Sequence, residues 1–173
     1  MIVFFKIICA LVIILASSYL GYNKASLYSK REKVIRDFSI FFNRIKAEIL
    51  YTQNTVPNLI ENNRQDLYID VKNSLGAIST DMLINESKFS IEKSIEKNIN
   101  EIKCLEETDK NYIIKGLNFL GKTDIEGQQS IIENTISLLD IQIKDAKDME
   151  NKNSKLYKKL GILLGIFLVV IVI

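Results

Sequence analysis

The residues best placed to do chemistry are Gly116-Leu-Asn-Phe-Leu-Gly121-Lys122-Thr123, which fit the phosphate-loop pattern G-x-x-x-x-G-K-[ST] letter for letter. Such a loop works because successive backbone N–H groups converge on phosphates between a strand and a helix. Its lysine and threonine then reach phosphate and magnesium. Here the four intervening residues are Leu, Asn, Phe and Leu, which continue an apolar helical stripe. Upstream, Lys110 to Lys115 is too charged and too short for a buried parallel strand. Downstream, Ile136-Ser-Leu-Leu-Asp140 has the look of an acid-ended strand but belongs to a helical seam. Helix punctuation explains the same letters. Gly121 follows a helix C-terminus, Thr123 caps the next helix, and Thr123-Asp124-Ile125-Glu126 forms a capping box. A membrane-tethered nucleotide hydrolase using Lys122 and Thr123 is therefore the alternative reading; the leading one is a structural corner of Gly121, Thr123, Asp124 and Gln128, with partner contact by the same residues as its variant.

No other constellation competes. The chain has no histidine, which removes Ser-His-Asp and Cys-His dyads and His-ligated zinc. Two cysteines, Cys9 and Cys104, cannot build a thiolate site, and Cys104 reads as a small buried hydrophobe. The carboxylates show neither calcium-loop nor paired-acid spacing. No catalytic residue, metal site or cofactor is expected. With 23 Lys+Arg against 21 Asp+Glu, no nucleic-acid stripe is supported. Glu48 and Tyr51, three apart, predict neighbours on one helix face, either a helix-locking or partner contact or an ordinary amphipathic edge.

The elements that hold these residues follow from hydropathy. Ile2 to Tyr22 is apolar apart from Lys6 and two serines and would span about 32 Å as a helix, a bilayer core's thickness. Lys6 can snorkel to the headgroups; a cleaved signal peptide is the competing reading. Leu160 to Ile173 is uninterrupted hydrocarbon, short for a full span. A buried core helix is its bland alternative, disfavoured because the run is apolar on every face. Ten basic residues flank the two runs on their inner sides, from Lys24 to Arg36 and from Lys147 to Lys159. The outer flanks offer only Lys6 and the α-amino group. The positive-inside rule then puts the centre in the cytoplasm, where the Asn85-Glu-Ser87 sequon is irrelevant. A sensor-type signalling module would need the opposite orientation.

Between the runs, apolar residues recur at three- and four-residue spacing. Helices are predicted over about 26–51, a short one opened by Pro57, one carrying Leu67, Val71 and Leu75 and closing near Gly76, one over 88–106, one over 108–120, and a long one from Asp124 that runs unbroken into the C-terminal run. The expectation is an all-α protein, a six-helix bundle flanked by N- and C-terminal transmembrane helices. Its divisions are 1–23, 24–158 and 159–173. Gly161 and Gly165 form a G-x-x-x-G that allows close helix approach, within the chain or in a homo-oligomer.

Three stretches together resemble the stage III sporulation protein AB family of endospore formers. They are Glu48-Ile49-Leu-Tyr51 followed by Thr55-Val-Pro57; Leu120-Gly121-Lys-Thr-Asp124-Ile-Glu-Gly127-Gln128; and Lys155-Leu-Tyr-Lys-Lys-Leu160-Gly161-Ile-Leu-Leu-Gly165. Val56 departs from the family's direct Thr-Pro turn. The resemblance implies a non-enzymatic component of the SpoIIIA assembly in the mother-cell membrane around the forespore. It also implies likeness to F-type platform proteins of type II secretion, which dock a cytoplasmic ATPase, here SpoIIIAA-like, beside other SpoIIIA membrane proteins.

Overall fold

A chain with one proline, and with apolar residues at helical spacing almost throughout, has little to stop a helix once started. The computed structural model describes residues 2–51, 54–84 and 88–172, and among them every regular element is helical. The Asn85 sequon and the Lys6 side chain lie outside the described residues.

The first helix, α1 (Ile2–Ile49), is uninterrupted. The break expected between a membrane run and a bundle helix starting near Ser26 is absent. A lone Gly21 costs only about 1 kcal/mol of helix propensity, and nothing else between residues 17 and 30 opposes helix. Then follow α2 (Val56–Asn63), α3 (Ile69–Ile84), α4 (Lys88–Asn100), α5 (Glu107–Phe119) and α6 (Ile125–Met149). A π-helical turn, Glu150–Ser154, leads into α7 (Lys155–Val172). The long last helix is thus interrupted where no proline or glycine marks it. The third helix runs eight residues past Gly76, which faces the Arg64 guanidinium instead of ending the helix.

The chain divides into two compact units, residues 1–32 with 145–173, and residues 33–144. Unit two is a bundle of six helices, the C-terminal part of α1 with α2 to α6 up to Lys144. Its core is built on α1: of Val34, Phe38, Phe41, Phe42, Ile45 and Ile49, the stripe that the periodicity announces, all are buried except half-buried Ile49, and Ile35 joins them. Phe41 and Phe42 meet edge to face at 5.4 Å. Ile60, Leu75, Ile78, Ile95, Ile99, Ile113, Leu117, Ile132 and Leu139 close around them. Helix α2 packs on α3, α3 on α4 and α4 on α5. Ser39 to Asp140 (3.3 Å) and Lys46 to Glu133 (2.8 Å) run α1 and α6 antiparallel. The chain therefore enters and leaves this unit at one end, while the α1–α2 and α5–α6 connections gather at the other.

Unit one pairs the N-terminal part of α1 with the end of α6 and with α7. Helix α1 is long and apolar enough to cross a bilayer.

Candidate functional site

The α5–α6 corner is built residue by residue from the Leu120–Gln128 stretch. Gly121 alone among the described residues has a positive φ, +75°, the left-handed conformation that lets α5 stop and the chain turn. The Asp124 carboxylate accepts the Gly127 N–H at 3.1 Å, and the Asp124 carbonyl accepts the Gln128 N–H. Asp124, one residue beyond the expected Thr123, is the N-cap of α6. A side chain on Gly127 would lie 2.6 Å from that carboxylate oxygen, so the cap needs the glycine. Thr123 contributes its carbonyl, which accepts the Gln128 Nε2 at 2.7 Å, while Gln128 Oε1 accepts the Gly121 N–H at 2.9 Å. Gln128 thus staples both sides of the turn.

This geometry cannot cradle phosphate in the way the phosphate-loop pattern requires. Residues 116 to 119 end a helix, whose carbonyl terminus is the negative end of its dipole. Gly116 is packed so tightly that an added Cβ would sit 2.7 Å from the Phe42 ring. Lys122 is held by Glu92 at 2.7 Å, and Ile136 to Asp140 lie in α6.

The α1–α2 junction meets the same end of the bundle. Glu48 accepts from Asn63 Nδ2 at 2.6 Å and from Asn54 Nδ2 at 3.2 Å, tying α1 to α2 and to the loop between. Just past the end of α1, the Tyr51 N–H donates to the Glu48 carbonyl at 3.0 Å, and Tyr51 is 86% exposed. Pro57 stands in the first turn of α2, and its carbonyl accepts the Ser79 hydroxyl of α3 at 3.0 Å. Between these two junctions lies a cleft of about 380 Å³ lined by Val56, Pro57, Met82, Ile91, Ile95, Leu117, Asn118, Leu120, Gly121 and Lys122. Asn118 Oδ1 is buried in its wall without a hydrogen-bond partner. Leu83, Ile84 and Phe89, at the α3–α4 connection, are exposed. The cleft thus brings Pro57 and Gly121 together, whereas Glu48 and Gln128 brace its two corners.

Unit one shows what the glycines do. A Cβ on Gly21 would lie 2.9 Å from the Gly161 Cα, and one on Gly165 would lie 3.0 Å from the Ile14 Cα. The Ser17 hydroxyl donates to the Gly161 carbonyl at 2.6 Å. The Gly161/Gly165 face is therefore occupied within the chain, by Ile14, Ser17 and Gly21 of α1. Ser17-x-x-x-Gly21 is itself a small-x-x-x-small pattern, the signal that would have revealed the partner face. Tyr28 and Tyr157 stack at 5.7 Å. Around the π turn, buried Arg31 meets Asp145 at 3.3 Å, and Glu150 accepts from Lys147 (2.8 Å) and Ser29 (2.7 Å). Those two donors hold the Glu150 carboxyl below its ordinary value of 4.5. In unit two, the Arg64 guanidinium hydrogen-bonds the Glu61 carboxylate twice at 2.6 Å and lowers its pKa in the same sense. Cys104 is half-buried, more open than its apolar reading implied. Among the described residues no group of three or more His, Cys, Asp or Glu side chains could hold a metal ion.

The family model described as stage III sporulation protein AB matches residues 6–173. A protein of that name from Bacillus subtilis (strain 168) is 25% identical over 168 residues, covering 96% of this chain and 98% of the relative. A solved structure of stage III sporulation protein AB shares the fold, with a TM-score of 0.63 at 20% identity over 71% of this chain and 98% of the other.

Proposed function

The chain belongs to the stage III sporulation protein AB family, and from that premise we propose that it is a non-enzymatic membrane platform of a sporulation transport complex. In this reading α1 and α7 cross the mother-cell membrane around the forespore, residues 24–158 lie in the cytoplasm, and a SpoIIIAA-like secretion-type ATPase docks on the bundle. Other SpoIIIA membrane proteins are its neighbours. The observation that carries the reading is the end of the bundle away from its chain connections. There an apolar cleft is framed by two hydrogen-bonded corners, with exposed Leu83, Ile84 and Phe89 at the α3–α4 connection beside its lining residues Met82 and Ile91. An apolar cleft within a polar rim, with one buried acceptor unpaired at Asn118, is the build of a protein-docking surface.

The test is binding of the purified ATPase to the full chain in nanodiscs. Saturable binding, weakened about tenfold or more by Ile84→Lys or Phe89→Lys, is expected. No binding at about 50 µM, a free energy weaker than roughly −6 kcal/mol, rejects docking.

A further inference from the structure

A second concavity lies in unit one and belongs to neither the cleft nor the glycine seam. It is a groove of about 650 Å³ between the N-terminal part of α1 and α7, formed by Leu15, Ser18, Tyr19 and Tyr22 on one side and Lys158 and Ile162 on the other. We propose that this groove seats one anionic phospholipid, its acyl chain against Leu15, Tyr19 and Ile162 and its phosphate on the Lys158 ammonium.

Shape comes first. Because Gly21 and Gly161 bring the two backbones into contact, the larger side chains on either side of the seam stand apart and leave a furrow. From Leu15 to Tyr22 it runs about 10 Å along α1, two thirds of the roughly 15 Å depth of one leaflet's hydrocarbon. Position comes second. Lys158 and Lys159 are the last charges before the uninterrupted run from Leu160, and Tyr19, Tyr22 and Lys24 stand at the corresponding end of the first run. Aromatic rings and lysines at that depth mark the boundary between headgroup and hydrocarbon. Charge comes third. None of the six lining residues is acidic. The Lys158 ammonium sits 5.4 Å from the Tyr22 ring centre, which fixes it at the mouth of the groove. Glu150 is near enough to feel Lys158, but its carboxylate is already held by Lys147 and Ser29. A basic pocket between membrane helices, apolar below and cationic above, suits an anionic lipid better than a zwitterionic one.

The proposal rests on both helices crossing the bilayer, so resistance of the membrane-bound protein to alkaline extraction is measured first. Extraction by alkali would sink the spanning reading and the lipid site together. With insertion established, native mass spectrometry of the full chain is run with dioleoylphosphatidylglycerol and with dioleoylphosphatidylcholine. One tightly retained phosphatidylglycerol is expected. Lys158→Ala should weaken it roughly fivefold, the effect of one surface lysine on an anionic lipid. Leu15→Trp, which fills the groove from a lipid-exposed position, should abolish retention with helicity unchanged. Lys97→Ala, in α4, should do nothing. Equal retention of the two lipids, equal loss in the Lys97 variant, or retention in the Leu15→Trp variant overturns the proposal. So does cross-linking of two copies through a cysteine at Tyr19, which would make the groove a protein interface.

Discussion

Gly121 carries the sharpest constraint of any single residue. Its left-handed backbone costs other residues about 1–2 kcal/mol, and a Cβ there would also meet the Val56 methyl at 2.8 Å. Gly121→Ala should therefore lower stability by at least about 1–2 kcal/mol in urea melts of the full chain, with Gln128→Ala close behind through loss of both staples. Gly76→Ala is the contrasting case. Its Cβ would sit 2.9 Å from the Arg64 guanidinium, the far end of a flexible side chain that can swing away. The gain in helix propensity, about 1 kcal/mol, offsets a half-exposed ion pair worth no more than that, so the net change should fall near zero. Lys122 extends the argument to ligands. Its side chain answers Glu92, and isothermal titration with Mg-ATP should give no binding heat; saturable binding would restore the phosphate-loop reading. Acid sensitivity belongs to this scale too. Glu61 and Glu150 both have lowered pKa values, so their contribution is complete above about pH 4.5 and is lost as pH falls through the lowered values. Glu150→Gln should flatten the loss of helicity between about pH 5 and pH 3 relative to the parent, and a steeper loss would contradict the assignment.

Helices are where periodicity reads well and punctuation reads badly. The Val34-to-Ile45 stripe, Pro57 in the first turn of α2 and the Ile95, Ile99 face were legible because burial imposes a period that single residues cannot hide. What failed was termination. Gly76 resembles a stop but lies under Arg64, and the α1 break has no residue to enforce it. The N-cap fell on Asp124 because two neighbouring capping residues compete and only the fold decides. The π turn left no signature, since it reports an accommodated extra residue rather than a residue type. That account is testable. Deleting Asn151 should leave a regular helix with Gly161 still against Gly21, whereas inserting Ala after Leu156 turns α7 by about 100° and buries leucine where glycine is needed. Cysteines at Tyr28 and Tyr157, whose rings stack in the parent, should cross-link in the deletion and lose cross-linking in a variant carrying Gly161→Leu. Efficient cross-linking in Gly161→Leu would show that the glycine seam does not set the pairing.

For the whole molecule, orientation across the membrane decides whether the docking end can meet a cytoplasmic ATPase at all. Ten basic residues lie on the inner flanks of the two hydrophobic runs, and each resists translocation. The bias is shared between the runs, five on each, so neither helix alone has to set the topology. In the proposed reading the glycine seam adds a second restraint, because it holds the two runs side by side, and runs that both cross the bilayer must then end on the same face. A single cysteine at Ser137, in a chain with Cys9 and Cys104 replaced by Ser, reads this out. A membrane-impermeant maleimide should label it only after permeabilisation. Stopping the chain after Lys159 removes the seam but leaves Lys24 to Arg36 in place, so the cysteine should stay protected while the melting temperature falls. Labelling from outside in the full chain would put the bundle on the wrong face for an ATPase and remove the docking proposal, with the helical fold left standing.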